Sequence, residues 1–230
     1  MLPLKDLNRP FSTPHVNRML LIVNVVIFVV YWFSAMEIYF PLKIASQIKK
    51  EFTMYPGEVV HGQRLYTLVT SMFMHADWFH LLGNMLFLYI FGDNVEDVLG
   101  HASYLAFYIS CGLAAAFSHI LSLYFGLTYN TIDFSTGVIG ASGAISGVLG
   151  AYFVLFPKAR ILAWVVYFIL PVPAVIFLGF WFFLQWFYGL FNIGSKIAYW
   201  AHVGGFIAGM VLALAFGLKR KREKMAKLLR

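Results

Sequence analysis

The chain has 230 residues, of which 61% are hydrophobic and 12% are charged, and its mean hydropathy is +0.77. A soluble domain usually has about 25% charged residues, so the composition excludes a soluble domain and predicts a polytopic membrane protein. The net charge of +7 does not indicate nucleic-acid binding, because 7 of the 17 basic residues lie in residues 219–230, directly after an apolar segment. Such a basic tail is typical of a cytoplasmic anchor on anionic lipid.

The apolar segments predict six membrane-spanning helices in one membrane domain that covers residues 1–230. A polar segment, residues 1–18, comes first. The predicted spans are residues 19–36, 78–98, 102–125, 138–156, 173–191 and 199–218. The fifth span needs a break, because an apolar helix over residues 161–190 would be about 45 Å long, against roughly 30 Å for the bilayer core. Pro171 and Pro173 provide the break, so residues 161–170 are expected to lie along the membrane face.

The basic residues predict the orientation. With six spans, both termini, the second loop and the fourth loop share one side, which carries 12 Lys and Arg against 5 on the opposite side. The positive-inside rule therefore puts residues 1–18 and 219–230 in the cytoplasm. The long first loop, residues 37–77, is then external. Its apolar residues alternate with charged ones near residues 42–52, which predicts a short helix lying in the membrane interface.

A serine among small residues lies at the head of the fourth span. The segment from Gly140 to Gly147 reads Gly-Ala-Ser-Gly-Ala-Ile-Ser-Gly, and its first serine is Ser142. One interpretation is packing, since Gly143 and Gly147 fit the small-xxx-small pattern that lets transmembrane helices approach closely. The other is a nucleophile at a helix start, which needs a base and oxyanion donors at the same depth. Ser146, one turn deeper, is a conceivable rival nucleophile.

Four polar side chains from three spans are predicted to share one depth, about 3–9 Å below the external face. They are His80 and Asn84 in the second span, Ser142 in the fourth and His202 in the sixth. Polar groups inside a membrane are costly and are functional hypotheses by default. Ser142 would be the nucleophile and His202 its general base. His80 and Asn84, spaced i, i+4 on one helix face, would donate to an oxyanion.

Gly205 and Gly209 would let the sixth helix press against the glycine face of the fourth, which brings His202 towards Ser142. No carboxylate is predicted at this depth, so the constellation is a Ser–His dyad rather than a triad. The other polar residues of the apolar runs have no predicted partner and are assigned to packing; they are Asn24, Cys111, His119 and Gln185. The remaining histidines are expected to be solvated or interfacial; they are His15, His61, His75 and His101.

The chain resembles the rhomboid intramembrane serine proteases over about residues 60–217. The matching motifs are His-x-x-x-Asn at 80–84, Gly-x-x-x-Glu-x-x-x-Gly at 92–100, Gly-Ala-Ser-Gly at 140–143 and Ala-His-x-x-Gly-x-x-x-Gly at 201–209. The resemblance implies a six-helix all-α bundle in the cell membrane that cleaves transmembrane protein substrates without a cofactor or a metal. It implies that Ser142 and His202 are catalytic and that His80 and Asn84 form the oxyanion hole.

The chain departs from the family pattern in two places. The Trp-Arg pair of the first loop is Gln63-Arg64 here, and the aromatic residue often found four positions after the nucleophile is Ser146. A neighbouring aromatic residue such as Trp200 is therefore the candidate to orient His202 in its place. The aromatic residues of the fifth span are expected to face lipid as a lateral gate; they are Phe177, Phe180, Trp181 and Phe182.

Two other functions remain open. One is an inactive relative that binds transmembrane helices and hands them on, although such proteins typically lose the Ser or the His. The other is a transporter or channel, which would favour polar groups at the bilayer midplane and an inverted repeat. The sequence has neither feature. It also leaves open the physiological substrate and the oligomeric state.

Overall fold

A computed structural model of the chain describes residues 1–35, 42–128, 133–191 and 197–229. Helices dominate the described residues. They are α1 (His15–Ala35), α2 (Leu42–Phe52), α3 (Pro56–Val60), α4 (Thr67–Thr70), α5 (Trp78–Leu99), α6 (His101–Tyr124), α7 (Ser142–Leu155), α8 (Ala174–Phe191), α9 (Tyr199–Leu212) and α10 (Leu218–Leu228). A 3₁₀ turn at Ser71–Phe73 follows α4, and a π turn at Ala213–Gly217 joins α9 to α10.

Each predicted span corresponds to one of these helices. Within the described residues, four segments are long and apolar enough to cross a bilayer: His15–Ser34, His101–Tyr124, Ala174–Phe191 and Tyr199–Leu228. The two helices that match the second and fourth predicted spans are not among these four. Helix α5 ends in an acidic stretch, and α7 has only 14 residues. The count of six spans and the side of the termini therefore stay predictions. The predicted short helix near residues 42–52 exists as α2, and its place in the membrane interface stays a prediction. Residue 36 of the first span and residues 37–41 of the long first loop lie outside the described residues.

A three-stranded antiparallel sheet was not predicted. Its strands are β1 (Leu2–Asp6), β2 (Arg160–Val165) and β3 (Phe168–Pro173), in the order β1-β2-β3. Residues 161–170, which the sequence analysis expected to lie along the membrane face, form a β-hairpin that pairs with the N-terminal strand. Ile161 and Ala163 are buried in the core, which holds the sheet against the helices.

Both ends of the chain meet the same end of α5. The Ser12 N–H donates to Asp97 at 2.7 Å, and the Lys224 ammonium lies 2.5 Å from the same carboxylate. The preceding residue, buried Glu96, accepts the backbone N–H groups of Val16 and Asn17, which caps the start of α1. The termini thus lie at one end of the bundle, as an even number of spans requires.

Helix α7 packs closely against α9, and glycines make the contact possible. A Cβ atom on Gly205 would lie 2.1 Å from the Gly143 carbonyl oxygen. A Cβ atom on Gly209 would lie 1.9 Å from the Gly147 carbonyl oxygen. Neither position has room for a side chain, so the predicted packing of the two glycine faces is confirmed. This contact sets the height of the first turn of α9 against the start of α7.

Candidate active site

Ser142 and His202 meet at the end of the bundle opposite the termini. Ser142 is the first residue of α7, and His202 lies in the first turn of α9. The Ser142 hydroxyl is 2.8 Å from His202 Nε2, within hydrogen-bond distance. A cavity of about 1170 Å³ reaches both groups, and His80 and Asn84 also line it. The structure therefore brings together all four residues that the sequence singled out.

The backbone before Ser142 needs a glycine. Gly140 has a φ of +125°, a conformation that L side chains rarely adopt. A Cβ atom there would also lie 2.7 Å from His80 Nε2. The Gly140 N–H donates to the Ser71 carbonyl at 2.9 Å, which fixes this strained position. The Gly-x-Ser-Gly motif thus lets the imidazole of His80 come close to the backbone beside the serine.

The first turns of α5 present two hydrogen-bond donors to the cavity. Asp77 caps this helix by accepting the His80 N–H at 2.9 Å. The Ala76 N–H points at His80 Nδ1 at 3.4 Å, so Nδ1 is the acceptor and a neutral ring carries its proton on Nε2. Asn84 is buried, and its Nδ2 has no hydrogen-bond partner within the described residues. Both groups can donate to a charge that develops in the cavity.

The other ring nitrogen of His202 has a partner that the sequence analysis missed. His202 Nδ1 lies 2.8 Å from the Gln185 side-chain oxygen, so the assignment of Gln185 to packing is wrong. Trp181, one turn earlier on α8, places its ring 6.1 Å from the imidazole. The i, i+4 spacing of Trp181 and Gln185 puts both on one helix face. The sequence signal that could have revealed this contact is an amide side chain, Gln185, on the same helix face as Trp181.

The aromatic neighbours of His202 also differ from expectation. Its ring contacts are with Trp181 of α8 and with Tyr199, whose ring centroid is 6.4 Å away. Trp200 instead turns its carbonyl to the Ser118 hydroxyl at 2.8 Å. The neighbouring aromatic residue on α9 that packs against the imidazole is therefore Tyr199 rather than the example Trp200, and Trp181 of α8 packs against the same ring.

Ser146, the rival nucleophile, is engaged within its own helix. Its hydroxyl donates to the Ser142 carbonyl at 2.6 Å, and the residue is buried. Such a bond to the carbonyl four residues earlier is common for serine in helices. The geometry therefore leaves Ser142 as the hydroxyl that faces an imidazole.

Two further histidines are buried near the site. His119 on α6 is fully buried and lines the cavity, as a packing residue can. His75, in the loop before α5, is buried rather than solvated, with its ring 5.1 Å from that of His80. Burial and the neighbouring His80 lower the pKa of His75 to about 4, so it is neutral at pH 7.

The aromatic residues of α8 mostly face inward. Phe177 is buried, Phe182 stacks on Phe206 at 4.7 Å, and Trp181 lies between His202 and Phe87. Among the four aromatic residues expected to face lipid, Phe180 is the exposed one. The expectation is therefore wrong for Phe177, whereas Trp181 and Phe182 are half-buried and also contact α5 and α9.

The apolar helices that surround this serine–histidine pair define an integral, multi-pass membrane protein. The family comparison agrees with this description, since the model of the Rhomboid domain matches residues 62–219, more than half of the chain. The chain belongs to the rhomboid family.

Three curated relatives illustrate the similarity. Rhomboid protein 1, mitochondrial, of Saccharomyces cerevisiae is 29% identical over 69% of this chain and 44% of its own length. RHOMBOID-like protein 12, mitochondrial, of Arabidopsis thaliana is 30% identical over 69% of this chain and 47% of its own length. Putative rhomboid protease YdcA of Bacillus subtilis is 29% identical over 56% of this chain and 60% of its own length. The chain thus spans about half the length of the curated relatives it matches.

Proposed function

We propose that this protein is an intramembrane serine endopeptidase of the cell membrane that cleaves transmembrane segments of membrane proteins near their external end. The observation that carries the proposal is the 2.8 Å approach of the Ser142 hydroxyl to His202 Nε2, inside a bundle of apolar helices. The proposal includes six spans with both termini in the cytoplasm, and neither a cofactor nor a metal takes part in it.

The geometry supports acyl transfer through a dyad. His202 Nε2 takes the Ser142 proton while Oγ attacks the scissile carbonyl carbon, and the resulting imidazolium returns that proton to the leaving amine. The carbonyl oxygen becomes an oxyanion, which accepts hydrogen bonds from His80 Nε2–H, Asn84 Nδ2 and the Ser142 N–H. Water then attacks the acyl-enzyme through the same base and releases the second product. The chain's own residues supply each role.

Cleavage of a labelled transmembrane substrate by the purified, full-length protein tests the proposal. We expect Ser142→Ala and His202→Ala each to abolish cleavage, because each removes one half of the proton transfer. Ser146→Ala, which removes a hydroxyl one turn deeper on the same helix, is the matched control and should keep measurable activity. A fluorophosphonate probe should label the wild type at Ser142.

Two outcomes would contradict this assignment. Labelling of Ser146 in place of Ser142 would move the nucleophile by one turn. Binding of transmembrane helices by the wild-type protein without cleavage or labelling would favour the alternative, an inactive relative that binds and hands on transmembrane helices.

A further inference from the structure

Gln185 lies where the third member of a catalytic triad usually lies. Its side-chain oxygen is 2.8 Å from His202 Nδ1, on the side of the imidazole opposite the Ser142 hydroxyl. Helix α8 holds it there through contacts with α9 on either side: Phe182 stacks on Phe206 at 4.7 Å, and Tyr188 packs on Tyr199 at 5.7 Å. The amide is therefore fixed by packing along the length of the helix.

This bond decides which ring nitrogen carries the proton. An amide oxygen can only accept, so the bond keeps the hydrogen of neutral His202 on Nδ1. Nε2 is then unprotonated and free to take the Ser142 proton. When that proton arrives, the imidazolium donates Nδ1–H more strongly to the same oxygen, since hydrogen bonds from charged groups are stronger than neutral ones.

We propose that Gln185 is a positioning residue that holds His202 in the tautomer and orientation that the reaction needs, in place of the carboxylate of a triad. The proposal rests on the proposed function. The titratable groups facing His202 are His80 from α5, His119 from α6 and Tyr199 from its own helix. The residues of α7 and α8 that hydrogen-bond to His202 are Ser142 and Gln185, and both are uncharged. An amide therefore orients the ring without adding a charge to the membrane interior.

Substitutions at this position test the role in the full-length protein. Gln185→Leu keeps a similar side-chain size and removes the acceptor. We expect kcat to fall about tenfold to a hundredfold, the size for losing a hydrogen bond to a charged group, with KM little changed. Labelling of Ser142 by a fluorophosphonate should slow in parallel. Gln63→Leu, the same change at an exposed loop position, is the matched control and should behave as the wild type.

Gln185→Glu separates positioning from packing. A carboxylate still accepts the Nδ1 hydrogen and favours the imidazolium, so activity should survive and the acid limb of kcat/KM should move up by about one pH unit or more. Equal losses in the Leu and Glu variants with an unshifted limb, or a wild-type kcat in the Leu variant, would overturn the proposal. A wild type that neither cleaves nor reacts with the probe would instead overturn the proposed function.

The β2–β3 hairpin carries a separate, exposed apolar surface. Its tip residues are exposed and uncharged, with Tyr167 at 88% and Val166 at 71% exposure. The apolar surface comprises Trp164, Val166, Tyr167, Phe168, Ile169 and Leu170. Exposed patches of this kind mark an interaction with a protein or a membrane. The next two observations favour a membrane.

The apolar surface continues directly into a helix that is long and apolar enough to cross a bilayer. Strand β3 ends at Pro173 and α8 begins at Ala174, with Val175 and Ile176 exposed in its first turn. At the other end of the hairpin, Lys158 and Arg160 are exposed and basic. The hairpin therefore has an apolar, aromatic tip and two basic residues at its opposite end. This pattern suits the interface between lipid tails and anionic headgroups.

The open edge of the sheet is not suited to binding another strand. Pro171 and Pro173 lie at alternate positions of β3, so both face the same edge. Proline cannot donate a hydrogen bond and occurs on edge strands with its nitrogen turned away from the neighbour. These prolines therefore remove donors from the free edge, which disfavours addition of a strand from a second chain.

We infer that the hairpin inserts its tip into the bilayer leaflet on the side of the chain termini, with anionic headgroups at its base. Tyr167→Cys, labelled with an environment-sensitive fluorophore in nanodiscs, tests this; the native Cys111 is fully buried, and the unsubstituted protein measures any background. We expect blue-shifted emission that doxyl lipids quench. Glu223→Cys, exposed on α10, is the control and should be less quenched.

Either of two outcomes would contradict insertion. Water-like emission at position 167, equal to that at position 223, would leave the tip outside the bilayer. Fluorescence self-quenching that depends on protein density and not on doxyl lipid would make the hairpin an interface between copies of this chain.

Discussion

Asn84 is a buried residue with an unpaired side-chain donor close to the nucleophile. Its Nδ2 has no hydrogen-bond acceptor within the described residues and lines the cavity beside Ser142. Leaving a buried donor unpaired costs about 1–3 kcal/mol, a cost that an oxyanion in the cavity would offset. A group that is satisfied only when the oxyanion forms stabilises the transition state more than the ground state.

Asn84→Ala should therefore lower kcat more than it raises KM. Removing one oxyanion donor typically costs about 10²–10³ in rate, or ~2.7–4 kcal/mol. His80 Nε2–H and the Ser142 N–H remain, so we expect an impaired enzyme with residual turnover. Steady-state kinetics on a labelled transmembrane substrate measures both constants. A normal kcat with a raised KM would make Asn84 a substrate-docking residue instead.

The site residues that could be predicted from the sequence are polar residues within apolar segments, at depths that follow from their distance to a helix start. Ser142, His202, His80 and Asn84 could be placed together because polar groups in apolar runs are costly and each lies near a helix start. Gln185 shares those properties but lies near the far end of α8, and only the rotation of that helix reveals its bond to His202. Helix rotation depends on packing, which sequence periodicity barely records in a helix that is apolar all round.

At the scale of elements, apolar length predicted the helices and missed the sheet. Helix α8 begins at Ala174, one residue after its predicted start. Pro173 is the last residue of strand β3, and a proline is tolerated at the start of a helix but not in its interior. Helix α7 begins at Ser142 rather than at residue 138, since Val138 pairs with Met54 in an isolated bridge. Hydropathy alone does not distinguish an apolar strand from an apolar helix.

The sheet itself depends on contacts between distant parts of the chain. Strand β1 pairs with β2 across more than 150 residues, and its last residue, Asp6, accepts hydrogen bonds from Tyr152 at 2.6 Å and Asn94 at 2.8 Å. Burial raises the pKa of the Asp6 carboxyl. A five-residue strand with one buried side chain has too little local pattern to be recognised, so only its partners on α5, α7 and β2 define it.

At the scale of the whole molecule, the arrangement of α5 and α8 suggests how a substrate helix reaches the site. A transmembrane substrate keeps its backbone hydrogen-bonded in lipid, so it approaches from the side and unwinds where water is available. Gly83 on α5 lines the cavity, and a Cβ atom there would meet nothing within 4 Å. One turn further on, Phe87 closes the space against Trp181 of α8, with ring centroids 6.4 Å apart.

This slot between α5 and α8 predicts opposite effects for two substitutions. Phe87→Ala removes the aromatic contact, which contributes about 0.5–1.5 kcal/mol, so cleavage of a membrane-embedded substrate should rise about two- to tenfold. Gly83→Leu fills the open space and should slow the same substrate. Neither should change the cleavage of a soluble, unfolded substrate as strongly, because that substrate need not enter from lipid.

Reconstituted proteoliposomes carrying each variant and a labelled transmembrane substrate provide the measurement, with the soluble substrate assayed in parallel. Phe183→Ala is the matched control, since Phe183 is exposed on α8 and its ring contacts are with Trp186 and Phe187. We expect cleavage in the external part of the substrate span, after a small residue, and faster when Gly or Pro lies a few residues further in, because these weaken a helix by about 1 and 3 kcal/mol. Equal effects on both substrates, or cleavage near the end where the termini lie, would show that substrates reach Ser142 by another route.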